Sequence, residues 1–165
     1  QWHFYGKADL PSYERVLEAR DRVVARHPKL RIVGAHLASL EWSVMEIAKL
    51  LDKYPNFAVD TSARVKDLVT QNRETVREFF DKYQDRILFG TDRVITSFSK
   101  MEEEERKKAI QGLRTWYQGQ IAFYSEDIMV PGLERSEKEA QGLGLAENIT
   151  RKIFYKNARS WYPGL

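Results

Sequence analysis

Three short apolar runs constrain this chain more than any other feature. They are "LRIVGAH" (30–36), "FAVDTS" (57–62) and "ILFGTD" (87–92), and each follows a stretch whose apolar residues keep helical spacing. "PSYERVLEARDRVVARHP" has Ser12 in position to cap, an apolar set of Tyr13, Val16, Leu17, Val23 and Val24, and Pro28 as its stop. "LEWSVMEIAKLLDKYP" puts Trp42, Met45, Ala48, Leu51 and Tyr54 near one stripe and ends at Pro55. "NRETVREFFDKY" opens at Asn72, a second cap, and places Val76, Phe79, Phe80 and Tyr83 on one face. Strands separated by helices of this length pair in parallel through crossover connections. The fold class is therefore α/β.

Beyond Asp92 the alternation stops. "KMEEEERKKAIQGLRTWYQGQIAFY" predicts a long helix with Ile110, Leu113, Tyr117, Ile121 and Tyr124 as its apolar stripe. Residues 125–145 read as a long loop, so that 93–145 forms a helical and loop insertion after the last strand. "ENITRKIFYKNARSWY" closes the chain as a helix burying Ile149, Ile153, Phe154, Ala158 and Trp161. At 165 residues we expect one domain over 1–165.

Composition removes several function classes. The net charge is only +3 and the two signs are mixed along the chain, which argues against a dedicated nucleic-acid or membrane surface. The pI near 9.0 leaves only a weak attraction for anions. There is no cysteine, so thiolate nucleophiles, disulfides and cysteine-bound metal are all excluded. No apolar run reaches the roughly 20 residues of a membrane span. A soluble protein of the cytoplasm or periplasm is expected.

Side chains alternate along a strand, so each run has two faces. Read this way, Gly34 and His36 share one face, Ala58, Asp60 and Ser62 another, and Gly90 and Asp92 a third. Small residues make space, and a polar group beside that space can reach what it holds. The carboxyl ends of parallel strands are where such proteins bind ligands. We therefore expect His36, Asp60 and Asp92 to project from three adjacent strand ends toward one concavity. The plainer readings are a turn-capping aspartate for Asp92, a hydrogen-bonded core histidine for His36 and a supporting role for Asp60.

Four of these segments, "HPKLRIVGAHLASL", "LLDKYPNFAVDTSAR", "DRILFGTD" and "LAENITRKIFYKNA", resemble the carboxyl-terminal half of the amidohydrolase-related proteins. These are metal-dependent hydrolases and decarboxylases built on a distorted (β/α)8 barrel. The resemblance implies a partial TIM barrel holding strands six to eight and their flanking helices. It gives His36 the place of the histidine that binds metal, substrate or water, and Asp92 that of the aspartate that ligates metal and takes the proton of the attacking water. Asp60 and Arg64 become supporting residues, and Asn157 a structural asparagine of the last helix. The family's cofactor is a divalent metal, zinc above all. The His-x-His pair and strand-five histidine that carry most of its site have no counterpart here.

From this we expect the carboxyl-terminal part of a hydrolase acting on a small-molecule amide, ester or lactone through a metal-activated water, with Asp92 as general base. Two alternatives stay open: non-oxidative decarboxylation of an aromatic acid on the same barrel, and a non-catalytic half-barrel interaction module. The chain starts at Gln1 without an initiator methionine, which fits a piece of a longer enzyme. Alone it is expected to be inactive, to hold no metal tightly, and to pair with the missing amino-terminal half or with copies of itself. That expectation rests on unpaired edges at "LRIVGAH" and "ILFGTD" and on an inner face baring Leu30, Ile32 and Leu88.

Overall fold

The computed structural model describes residues 10–94, 101–131, 133 and 139–164. Strands β1 (Ile32–Gly34), β2 (Phe57–Asp60) and β3 (Ile87–Leu88) form a parallel sheet in the order β1-β2-β3. Helix α1 (Tyr13–Arg26) precedes β1. A tight turn, α2 (Ala35–Ala38), and helix α3 (Val44–Lys53) lead to β2, and α4 (Val65–Leu68) with α5 (Arg73–Lys82) lead to β3. The two caps form as the sequence predicts: Ser12 accepts from the Arg15 N–H, and Asn72 from that of Thr75.

Three helical stripes are displaced from their expected positions. Helix α3 begins at Val44, and Trp42 lies before it, 60% exposed. The buried face is Val44, Ile47, Leu50 and Leu51, which leaves Met45, turned by about 100° from Val44, in solvent. On α1 only Val24 is fully buried and Leu17 packs beside it, while Tyr13, Val16 and Val23 are exposed. Helix α6 (Glu103–Ser125) buries Gln120, Phe123 and Tyr124, with Ile110 and Ile121 outside. The stretch read as a loop also carries an antiparallel ribbon of β4 (Met129–Val130) and β5 (Ala140–Gln141).

The strand faces also need correcting. Pairing sets Ile32 beside Phe57 and Gly34 beside Val59, which in turn adjoins Ile87. These residues lie on the helix-covered side, where the core takes Phe79 and Phe80 of α5 and Phe123 and Tyr124 of α6. Gly34 is thus on the bulky face, not with Asp60. A Cβ there would stand 2.7 Å from both Ala38 Cβ and Phe57 Cζ, so only glycine fits. The opposite face carries Val33, Ala58 and Leu88, and it is not bare: Ala158 and Trp161 pack on it, leaving Leu88 3% exposed. Ile32 faces the core and Leu30 is exposed outside the strand.

The free side of β3 is closed as well, contrary to expectation. The last helix is interrupted: α7 (Glu147–Arg151) widens into a π turn (Lys152–Lys156) before α8 (Asn157–Trp161). The Asn157 N–H reaches back to the Lys152 carbonyl, five residues earlier. Within this wider turn the Ile153 carbonyl accepts the Phe89 N–H at 3.0 Å, so helix backbone replaces a neighbouring strand. Asn157 Nδ2 donates to the carbonyls of Gln84 and Ile87, each at 2.7 Å, and Trp161 Nε1 donates to that of Asp85. At β1, by contrast, no backbone group among the described residues bonds the outer edge.

Asn157 is buried, and its removal leaves two strand-end carbonyls without their donor. Each unsatisfied buried group costs about 1–3 kcal/mol. Asn157→Ala should lower the unfolding free energy by about 2–4 kcal/mol in urea melts. An unchanged midpoint would mean that the amide does not seal the sheet.

Candidate functional site

Every described non-glycine residue with a left-handed backbone lies just past the carboxyl end of a sheet strand. They are His36, Leu37, Ala38 and Ser39 after β1, Ala63 after β2 and Asp92 after β3. Each such residue costs about 1–2 kcal/mol, so four in succession must be held in place. What holds them is specific. Asp60, the last residue of β2, uses one carboxylate oxygen, Oδ1, to accept both the His36 N–H and the Ser62 N–H, each at 3.0 Å. Arg20 reaches from α1 to the Ala38 carbonyl at 2.6 Å, and the Tyr13 hydroxyl donates to that of Ser39. Leu37 and Ala38 are buried beneath.

The turn fixes His36. Its Nδ1 lies 2.7 Å from the Ser62 carbonyl oxygen, which has no proton to give, so Nδ1 carries the hydrogen. The Nε2 lone pair is left for a ligand, as in histidines that bind metal or accept a proton. Next to this pair, Thr61 Oγ1 exchanges hydrogen bonds of 3.2 Å with Gly90, donating to its carbonyl and accepting its N–H. That clasp joins the ends of β2 and β3. A Cβ on Gly90 would collide with Ser62 Oγ.

Asp92 is solvent-exposed and lines a different hollow. A cavity of about 280 Å³ is walled by Ala63, Arg64, Lys66, Thr91, Asp92, Arg93 and Trp116. Arg64 is held there by Glu41 at 3.4 Å and Asp67 at 3.9 Å, and Arg93 lies over the Trp116 ring at 5.0 Å from its centre. Burial pushes the Asp67 carboxyl above its usual range, Lys66 and Arg64 pull it down, and Glu41 adds to the rise. The structure therefore brings His36 together with Asp60, and Asp92 with Arg64, as neighbours along one rim. It does not line a single concavity with His36, Asp60 and Asp92.

The sequence reading missed Lys66, Arg93, Trp116 and Gln71. Gln71 ties the rim together: its amide accepts the Val44 N–H and donates to the carbonyls of Glu41 and Asp67. Trp116 left a usable trace, since it falls off the apolar stripe predicted for its helix. Arg93 directly follows the candidate aspartate. Gln71 left none.

A divalent metal can be tested against these groups. Catalytic zinc sites take about three protein ligands. Histidine and carboxylate are suitable donors, but among the described residues no three His, Asp or Glu side chains converge to hold an ion. The described residues do not by themselves form such a site.

Tyr162, just past α8, gives a pH-dependent probe of the rim. Burial raises its phenol above the usual value, and the charge of Asp60 adds to the rise. A raised value means that the folded state keeps this proton longer; the associated stability is full below about pH 10 and is lost as pH rises through the folded value. Asp60→Asn preserves an oxygen for the two N–H groups and should lower the Tyr162 value part of the way, as read by ultraviolet titration against Tyr162→Phe. No movement would separate Tyr162 from Asp60.

Comparison with protein families matches residues 5–164 to the amidohydrolase family. No curated protein and no solved structure matches the chain. No described helix is long and apolar enough to cross a membrane. Since the family match takes in all three parallel strands and the turns beyond them, the chain belongs to the amidohydrolase family.

Proposed function

We propose that this chain supplies the strand-six-to-eight part of a metal-dependent hydrolase barrel acting on small-molecule amides, esters or lactones. The observation that carries the reading is the strained rim, where strand ends present His36 Nε2 and the Asp92 carboxylate. In this role Asp92 takes the proton of the attacking water, and His36 accepts a hydrogen bond from the substrate or water, or ligates the ion. The family's metal, zinc by preference, would need further donors from outside the described residues, and no step is derived through it. Asp60 acts by positioning His36, and Arg64 by shaping the cavity around Asp92.

The consecutive order of the three parallel strands supports the barrel reading, as does the open outer edge of β1. Tyr13, Val16 and Val23 of α1 are also exposed. We propose that the preceding strands of a barrel cover them. Without such strands the chain should self-associate, and light scattering on the purified 165-residue protein is expected to show more than a monomer. A stable monomer would count against the open edge.

A second reading has its own support. Arg93 lines the cavity beside Asp92 together with Lys66 and with Arg64, which Glu41 and Asp67 already pair, so non-oxidative decarboxylation of an aromatic acid, whose carboxylate these cations would meet, competes with hydrolysis. Product analysis on panels of anilides, phenyl esters, lactones and aromatic acids, with the barrel complete and zinc supplied, separates the two. In that assembly Asp92→Asn should keep the fold and lose about 10²–10⁴ in turnover, the usual contribution of a general base. Wild-type turnover in the variant would make Asp92 a turn residue only.

A further inference from the structure

We infer that Arg20 of α1 is a positioning residue for His36: it pins the far end of the left-handed turn and so keeps the histidine Nδ1 on the Ser62 carbonyl. The near end of that turn is held by Asp60, through the His36 N–H. Two backbone bonds of 3.1 Å close the turn on itself, from the Ser39 N–H to the His36 carbonyl and from the Leu40 N–H to that of Leu37. The Ala38 and Ser39 carbonyls find their donors on a different element. Arg20 Nη1 reaches the first at 2.6 Å and the Tyr13 hydroxyl reaches the second. Tyr13 is exposed, whereas Arg20 is half-buried, and Arg20 is the firmer hold.

Arg20 is itself fixed. Its Nε and Nη2 both donate to Asp21 Oδ1, at 2.9 and 2.8 Å, and its guanidinium lies 5.9 Å from the centre of the Phe57 ring. A planar fork oriented in this way loses little freedom on making one more bond, and a bond from a charged donor is roughly twice as strong as a neutral one. Phe57 and Ala38 are also the two groups that crowd Gly34, where a Cβ would stand 2.7 Å from each side chain. Arg20, Phe57, Ala38 and Gly34 thus support the turn from behind. Leu37, between His36 and Ala38, is fully buried, so it gives no slack to absorb a displacement of Ala38. Releasing Ala38 therefore moves His36.

This inference rests on the proposed function only in giving His36 a task, and its readout needs no turnover. Nitrogen-15 NMR of the His36 ring, at a pH where it is neutral, measures the ratio of the Nδ1–H to the Nε2–H tautomer. Arg20→Met keeps the stem over Phe57 and removes the donors. It should lower that ratio about tenfold, equivalent to ~1.4 kcal/mol, near the net value of one hydrogen bond. Arg20→Lys restores a charged donor and should recover most of the loss, while Asp21→Ala, which frees the guanidinium, should give a smaller fall. Val76→Ala, a cavity in the core at α5, should lower the melting temperature and leave the ratio alone. A wild-type ratio in Arg20→Met, or in Asp21→Ala if the first variant does not fold, would overturn the inference, as would an equal fall in Val76→Ala. The expected fall, with no substrate converted by the completed barrel, would leave it standing and defeat the functional reading instead.

Discussion

One carboxylate oxygen organises the functional end of this molecule. Asp60 Oδ1 accepts the N–H of His36 from the neighbouring strand and that of Ser62 from its own, and so ties two strand ends to a single charge. Hydrogen bonds to an ionised acceptor are roughly twice as strong as neutral ones. That strength matters because the residues being held, from His36 to Ser39, all have left-handed backbones. Without the carboxylate, the turn would relax toward ordinary geometry and His36 would lose its fixed direction. The Ser62 carbonyl that sets the histidine's tautomer is placed by the same bond network.

The site is thus supported from two sides. Behind it, Phe57, Val59 and Ile87 pack into the helix-covered core, where rigidity is cheap because aliphatic and aromatic burial supplies it. At the far edge, the π turn and Asn157 take the place of a neighbouring strand for β3, so the aspartate-bearing loop after it hangs from a closed edge. The contrast with β1 explains how a sheet of three strands can be well sealed on one flank and open on the other. On the sealed flank a helix end does the work of a neighbouring strand.

Much of this was legible in the sequence. Alternating apolar periods gave three parallel strands and their intervening helices, and Ser12 and Asn72 marked two helix starts correctly. What could not be read was the point at which each strand stops. Alternation predicts a strand through Gly34 to His36, but β1 ends at Gly34 and the chain turns left-handed, held there by the Asp60 carboxylate of another strand. Alternation likewise puts Gly34 on the face of His36, whereas pairing with Val59 puts it on the bulky face: a glycine carries no side chain to declare its direction. The π turn was invisible because it is selected by a tertiary bond to Phe89. His36, Asp60 and Asp92 lie at or just past the strand ends that the apolar runs predict, yet the separate cavity around Asp92 depends on Trp116 from a distant helix.

The claim on which the rest depends is that the rim holds His36 with Nδ1 protonated against the Ser62 carbonyl. Nitrogen-15 NMR of the imidazole rings, recorded at a pH where His36 is neutral, reads this directly. The account predicts the Nδ1–H tautomer for His36 in the wild type, and a mixed population once Asp60 is replaced by alanine. A dominant Nε2–H tautomer in the wild type would contradict it, since that form cannot donate to the Ser62 carbonyl and presents a proton where the site requires a lone pair.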